Sequence, residues 1–553
     1  MSGLVVMVIA IVVLGAGYLV YGRWLAKTWG ISPDAKTPAY ELRDGVDYEP
    51  ADTQVVFGHQ FASIAGAGPI NGPIQAAVFG WVPVLLWLLI GGVFFGAVQD
   101  FSAMYASVKN KGRTIGYIIE QYIGKLGKKL FLLFCWLFCI LVVAAFADVV
   151  DGTFMGFAED GSKIVANGSV AMTSVLFIVE AVALGFILHN AKLGKLVNTI
   201  LAIVLLVGGI SIGLNFPIFV EKGTWQIIVF AYIAIASIAP VWALLQPRDY
   251  LNSYLLVIMI VMAVIGVIVT NPTINLPAFT SYYVEGTGTM FPILFVTIAC
   301  GAVSGFHSLV ASGTASKQIN NEKAMLPVSF GAMLLESMLG VISLIAVASF
   351  ATGAAAEAGY NTPPQIFAGA VANFLSELGL PHTVIFTLIN LAVSAFALTS
   401  LDSVARIGRL SFQELFLDSS IEDEKMKPWR KVVTNKYFAT IITLVFAYVL
   451  AKVGYKSIWP LFGSANQLLS ALALIACAVY FKKTNRKGWM LWIPMVIMLC
   501  VTMTALIQRM IALVKDLTPG NILQLTFAIS LMILGVIVAV EGLKKLFLKE
   551  KNA

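Results

Sequence analysis

Charge is what this chain has least of. Only 12% of its 553 residues are Asp, Glu, Lys or Arg, and it holds 4 histidines. A soluble globular chain carries about 25% charged residues, so a large water-soluble body is excluded. Long hydrophilic stretches are missing too: the largest are 23–53 and 403–435, and neither is a domain. Cysteine is scarce. The 5 present (Cys135, Cys139, Cys300, Cys477 and Cys500) lie in apolar runs, odd in number and without metal spacing. That argues against a disulfide framework or a zinc site and leaves them as small apolar residues. GAGPING at 66–72 and GAVQD at 96–100 have no strand before them, so neither is a dinucleotide fingerprint. P-loop, HExxH and nucleophile-elbow patterns do not occur. No enzyme, no cofactor, no bound metal and no nucleic-acid partner are expected.

What is present is apolar. Hydrophobic residues make up 59% of the chain, and the mean hydropathy is +0.88. This is the composition of an all-α polytopic membrane protein in a lipid bilayer. Runs long enough to cross one number about fifteen. They fall near 3–22, 54–79, 82–108, 129–149, 170–190, 196–217, 225–245, 250–270, 290–316, 325–351, 383–402, 436–453, 459–481, 489–513 and 521–546. A further segment, 365–378, reads as a short re-entrant or surface helix. The opening MSGLVVMVIAIVVLG lacks a basic leader and reads as an uncleaved first span.

Net charge is +7, and the positive-inside rule explains it. With the N-terminus outside and the C-terminus cytoplasmic, nearly all of the 36 Lys and Arg fall in cytoplasmic loops. Only Lys163, Lys222, Lys452, Lys456, Arg509 and Lys515 fall outside.

The stretch 54–79, QVVFGHQFASIAGAGPINGPIQAAVF, is long enough to span yet cannot stay helical. Gly66, Gly68, Pro69, Gly72 and Pro73 crowd its centre, and proline removes a backbone donor and clashes with the turn before it. Unwound backbone survives in a membrane only when it is buried in protein or lines a wet cavity. Half-helices meeting there leave bare N–H and C=O groups for a small charged ligand, as in secondary transporters. Two later segments share this character: 231–250 with Pro240 and Pro247, and 297–316 with Gly301, Gly305 and Gly313. Either is antiparallel to the first by span parity, so either suits a five-plus-five inverted repeat. Pairing 54–79 with 225–245 is favoured and gives a ten-helix core over 54–402. Around it stand a first helix with linker (1–53), a cytoplasmic segment (403–435) and C-terminal helices (436–553). The rival pairs 54–79 with 290–316.

Ionisable groups within spans are costly and mark function. His59, Glu180, His307 and Glu336 lie at membrane depth; Asp100 and Asp402 lie near span ends. These six are candidates for proton coupling. For Asp402 the competing reading is a simple ion pair with Arg406, four residues on. No Lys or Arg lies mid-span, so a carboxylate ligand would be held by backbone and amide groups. Gly66, Gly68, Asn71, Gln75, Ser304 and Gly305 are the substrate candidates. Asn466 and Gln467 are read as bonding between helices.

Six stretches in order, FGHQFASIAGAGPINGPIQAAVFGW, FFGAVQDF, ASIAPVWALLQPRDYL, GFHSLVASGT, TSLDSVARIGR and WPLFGSANQLLSA, resemble the carbon starvation protein A (CstA) family of membrane transporters. They run from residue 57 to about 471. The resemblance implies proton-driven uptake of pyruvate or small peptides across the bacterial cytoplasmic membrane during carbon limitation. It also implies kinship with the amino acid–polyamine–organocation (APC, LeuT-like) superfamily. The chain departs from the family where many members carry two adjacent histidines and it has His59–Gln60. Other readings are a membrane sensor or partner subunit that binds substrate without turnover and, more remotely, an intramembrane enzyme.

Overall fold

The computed structural model describes residues 1–44, 48–158, 160–190, 195–239, 244–416 and 427–547. In chain order the principal helices are α1 (Gly3–Trp29), α2 (Thr53–Ile64), α3 (Gly68–Ala76), α4 (Trp81–Lys109), α5 (Lys125–Phe154), α6 (Val165–Asn190), α7 (Lys195–Asn215), α8 (Lys222–Ile238) and α9 (Leu245–Thr270). There follow α10 (Met290–Thr297), α11 (Gly305–Gly313), α12 (Glu322–Ala348), α13 (Pro363–Ser376), α14 (His382–Phe416), α15 (Lys436–Ala451), α16 (Tyr455–Lys483), α17 (Trp489–Val514) and α18 (Pro519–Phe547). The strands among the described residues form one small hairpin, Tyr283–Val284 against Gly288–Thr289.

Ten of these helices are long and apolar enough to cross a membrane: α1, α4 to α7, α12, α14 and α16 to α18. The protein is therefore a multi-pass α-helical membrane protein. Three apolar helices are shorter: α8, α15 and the 254–270 part of α9. The two remaining runs, 54–79 and 290–316, are each broken in the middle. Pro240, the expected break of the 225–245 segment, lies outside the described residues. What is described of α8 winds without interruption to Ile238.

Burial separates centre from periphery. The most apolar stretch of α16 is buried throughout, against 22% for that of α7. The α7 side chains Ile200, Ile203, Val204 and Val207 face outward, as lipid-exposed helices do. At the centre α5 and α14 run antiparallel, with Thr153 Oγ1 3.0 Å from Ser394 Oγ near one end. Near the other, Gly408 lies against Cys139. Segment 363–376 is not a surface helix: α13 is buried along most of its length and starts with a capping box, Thr362 with Gln365. Its two leading prolines suit a first turn, where N–H groups have no helical partner. Four of the five cysteines are buried and Cys500 is exposed.

Candidate functional site: two broken helices and a buried ionisable cluster

The first break is shorter than the glycines and prolines suggest. α2 ends at Ile64, Ala65 leaves the helix at φ −76, ψ 54, and winding resumes at Gly68. The interruption is thus 65–67, with Gly72 and Pro73 inside α3. Pro69 sits in the first turn of α3, the one place where its missing N–H costs nothing. Gly72 serves a different end: a Cβ there would lie 2.7 Å from Thr297 O, so α3 touches the backbone at the end of α10.

The second break has no proline. After α10 a single turn, Ala299–Ala302, is followed by Val303 and Ser304 in extended conformation, and α11 starts at Gly305. A Cβ at Gly305 would lie 2.5 Å from Asn466 O and Ser470 N. Only glycine allows α11 to start flush against α16.

A cavity lies where the breaks meet. Its walls are Ile64, Gly66 and Gly68 from the first break and Cys300 and Phe306 from the second. Phe138, Val142 and Phe146 of α5, Ser400 and Val404 of α14, and Phe462 and Asn466 of α16 complete them. The space open to the centre of a water-sized sphere is ≈ 20 Å³, room for about one water. Gly66 abuts Ser400, so this face of the break looks into protein and not lipid.

One residue beyond Phe306, the chain turns to the other side of α11. His307 Nδ1 is 3.2 Å from Asp100 Oδ2, and Nε2 is 3.3 Å from Glu336 Oε2. All three side chains are fully buried. The Glu336 contact is within ion-pair reach but not aligned as a hydrogen bond, and both carboxyl oxygens of Glu336 lack a hydrogen-bond partner. A buried cluster is cheapest when its charges cancel. Two carboxyls and an imidazole reach neutrality with two protons among them; removing one leaves a net negative charge.

Of the proton-coupling candidates, the structure brings together Asp100, His307 and Glu336 and leaves three apart. His59 Nε2 lies 3.4 Å from Thr314 Oγ1, at the far end of α11. Glu180 sits on the α6–α7 hairpin against Gly209. Asp402 belongs to another buried pair, and here the expected partner is wrong. Asp402 pairs with Arg248, and Tyr232 bridges them, its hydroxyl donating to Asp402 Oδ2 at 2.8 Å and accepting from Arg248 Nη1 at 2.8 Å. Arg406 instead donates to Ala236 O at 3.2 Å and Ala239 O at 2.6 Å, at the C-terminal end of α8. Bare helix-end carbonyls attract a cation, and Arg406 fills that need.

Among the substrate candidates, Gly66 and Gly68 line the cavity. Asn71 is fully buried with neither amide atom partnered, and Gln75 Nε2 is likewise unpartnered. Gln60, in the last turn of α2, is buried with both amide atoms unpartnered and was not singled out from the sequence. Its signal is a polar residue in an apolar run, six places before the first glycine of the predicted break. The groups at Ser304 and Gly305 are engaged by protein. Asn466 Oδ1 accepts from Phe306 N at 3.1 Å and from Ser304 Oγ at 3.2 Å, and Gln99 Nε2 donates to Ser304 O at 2.7 Å. Asn466 and Gln467 do bond between helices, the latter to Phe295 O at 2.6 Å. Among the described residues no group of three His, Cys, Asp or Glu side chains could hold a metal ion.

A many-spanned helical protein with two interrupted helices around a central cavity, and ionisable groups sealed beside it, has the layout of a membrane carrier. The chain belongs to the family described as carbon starvation protein CstA, whose model matches residues 2–362 and 351–505. It is 31% identical to the peptide transporter CstA of Bacillus subtilis, over 99% of this chain and 97% of that protein. It is 29% identical to the peptide transporter CstA of Escherichia coli, over 91% and 80%. To the pyruvate/proton symporter BtsT of Escherichia coli it is 31% identical, over 91% and 81%. These names denote transporters, not enzymes.

Proposed function

We propose that this protein is a secondary active transporter that imports pyruvate or short peptides by proton symport across the cytoplasmic membrane of a carbon-starved bacterium. The observation that carries the reading is the Asp100–His307–Glu336 cluster, one residue away from a cavity built between two broken helices. For a small anion we assign the break at 65–67, the amides of Asn71 and Gln75, and the start of α11 at Ser304 and Gly305 once its protein partners give way; the cavity beside them, with room for about one water in this shape, widens to take it. The cluster supplies proton storage. His59, Glu180 and Asp402 stay as secondary candidates, on a path from the surface or in gating.

The ten long helices, the three short ones and the two broken ones are read as fifteen spans. A five-plus-five core fits best when 54–79 is paired with 290–316. The separation of seven spans becomes five if the peripheral α6–α7 hairpin is an insertion. The core then runs to the end of α16, and its cavity is walled by the first, third, sixth, eighth and tenth members. Charge distribution in the loops supports an outside N-terminus and a cytoplasmic C-terminus.

The test is uptake by proteoliposomes holding the purified full chain, with proton and sodium gradients imposed separately. Radiolabelled pyruvate or alanyl-alanine accumulates under the proton gradient. Equilibrium binding with no accumulation under either gradient would point to a sensor with a carrier's fold.

A further inference from the structure

Between the cavity and the ionisable cluster lie two buried side-chain amides, Asn466 and Gln99, joined through Ser304, the first at its hydroxyl and the second at its carbonyl. Asn466 faces the cavity and holds the start of α11 through Phe306 N and Ser304 Oγ. Its Nδ2 reaches Ser304 Oγ at 3.0 Å and Cys300 Sγ at 3.7 Å. On the other side of Ser304, Gln99 Nε2 donates to Ser304 O at 2.7 Å and reaches Asp100 Oδ1 at 3.5 Å. Gln99 Oε1 accepts from Ser470 Oγ, one helical turn along α16 from Asn466. Asp100 then meets His307. All of these side chains are buried.

We propose that Gln99 and Asn466 form the relay that couples substrate occupancy to proton binding, Gln99 acting as a donor shared between Ser304 and Asp100. This rests on the transport reading above. The Phe306 N–H points from a helix start, where an anion is favoured. A substrate carboxylate arriving there displaces Asn466 from it. Ser304 is then released on one side, and on the other Gln99 gives its hydrogen wholly to Ser304 O and withdraws it from Asp100, so that the carboxylate loses a donor and takes up a proton together with the substrate, as symport requires. The groups facing the cluster are Asp100 from α4, His307 from α11 and Glu336 from α12, with the Cys300 thiol near Glu336. Among the described residues none of these three pairs with Lys or Arg, so a change of donor at Asp100 falls on the cluster unscreened. By linkage, protonation of the cluster changes substrate affinity by the same factor.

The test separates coupling from folding. Gln99→Met keeps the shape and removes both amide functions. It is reconstituted and assayed two ways: exchange of internal for external radiolabelled pyruvate and alanyl-alanine at equal pH, and accumulation under a pH gradient. Exchange stays within about threefold of the parent, while gradient-driven accumulation drops by about tenfold or more, the scale of a typical coupling energy. If exchange and accumulation fall together, the amides are merely structural and the relay is overturned. Unchanged accumulation overturns it as well. Should Gln99→Met fail to reach the membrane, Gln99→Asn makes the same test, since it keeps both amide atoms but is one methylene too short to serve Ser304 and Asp100 together. If the parent itself neither exchanges nor accumulates either probe, the transport reading falls and the relay with it.

Discussion

The two buried charge clusters differ in what they ask of their members. Arg248 and Asp402 form a closed pair with Tyr232 as a shared neighbour. Removing one partner of such a pair leaves the other charge buried alone. Arg248→Ala is therefore expected to destabilise the fold by about 3–5 kcal/mol, read as a lower unfolding temperature in detergent, and Asp402→Asn in that background recovers part of the loss. Asp100, His307 and Glu336 have no Lys or Arg among them, and both carboxyl oxygens of Glu336 lack a hydrogen-bond partner, where Asp402 lacks one on Oδ1 alone. Glu336→Gln preserves the packing, so the expected loss is functional: gradient-driven uptake falls by about tenfold, with little change in unfolding temperature. His307 and Glu336 were legible as ionisable groups at membrane depth, and Asp100 as one near a span end. Their meeting was not, because they come from three spans and nothing in local spacing records which helix faces which. Arg406 shows the opposite error. Four residues from Asp402 it looks like the natural partner, but the carbonyls at the end of α8 compete for it and win.

Breaks in helices were more readable than their extent. Glycine and proline density located the first, and Ala65 to Ala67 is where backbone geometry leaves the helix. Pro69 belongs to the start of α3, Pro73 to its interior and Gly72 to packing, which composition alone cannot divide. At Gly72 an alanine methyl would meet Thr297 O at 2.7 Å. Backbone cannot yield as a side chain does, so Gly72→Ala is expected to cost about 1–3 kcal/mol, measured by thermal unfolding. The second break depends on an extended pair, Val303–Ser304, and the polar groups of Ser304 are met by Gln99 and Asn466 from distant helices; sequence spacing carries no such information. If the 65–67 segment moves against α14 during transport, tying them together stops it. A Cβ at Gly66 lies 3.6 Å from Ser400 Cβ, inside the span of about 3.5–4.5 Å that a disulfide bridges. The Gly66→Cys/Ser400→Cys protein, with Cys300→Ser to avoid exchange, is expected to lose uptake on oxidation and regain it with reductant.

For the whole molecule, hydropathy runs found the helices, and each of the expected runs has helix within it in the described residues. Which helices are central and which peripheral was hidden, since α7 and α16 are both apolar and differ in what surrounds them. Orientation across the membrane is a testable claim. A membrane-impermeant thiol reagent applied to intact cells is expected to label Asp160→Cys and not Lys111→Cys; the reverse pattern inverts the topology. The closeness of the walls around the cavity has one more consequence. With room for about one water, an empty protein in this shape holds almost no solvent to carry across. Idle copies crowding a membrane would then let little water slip through.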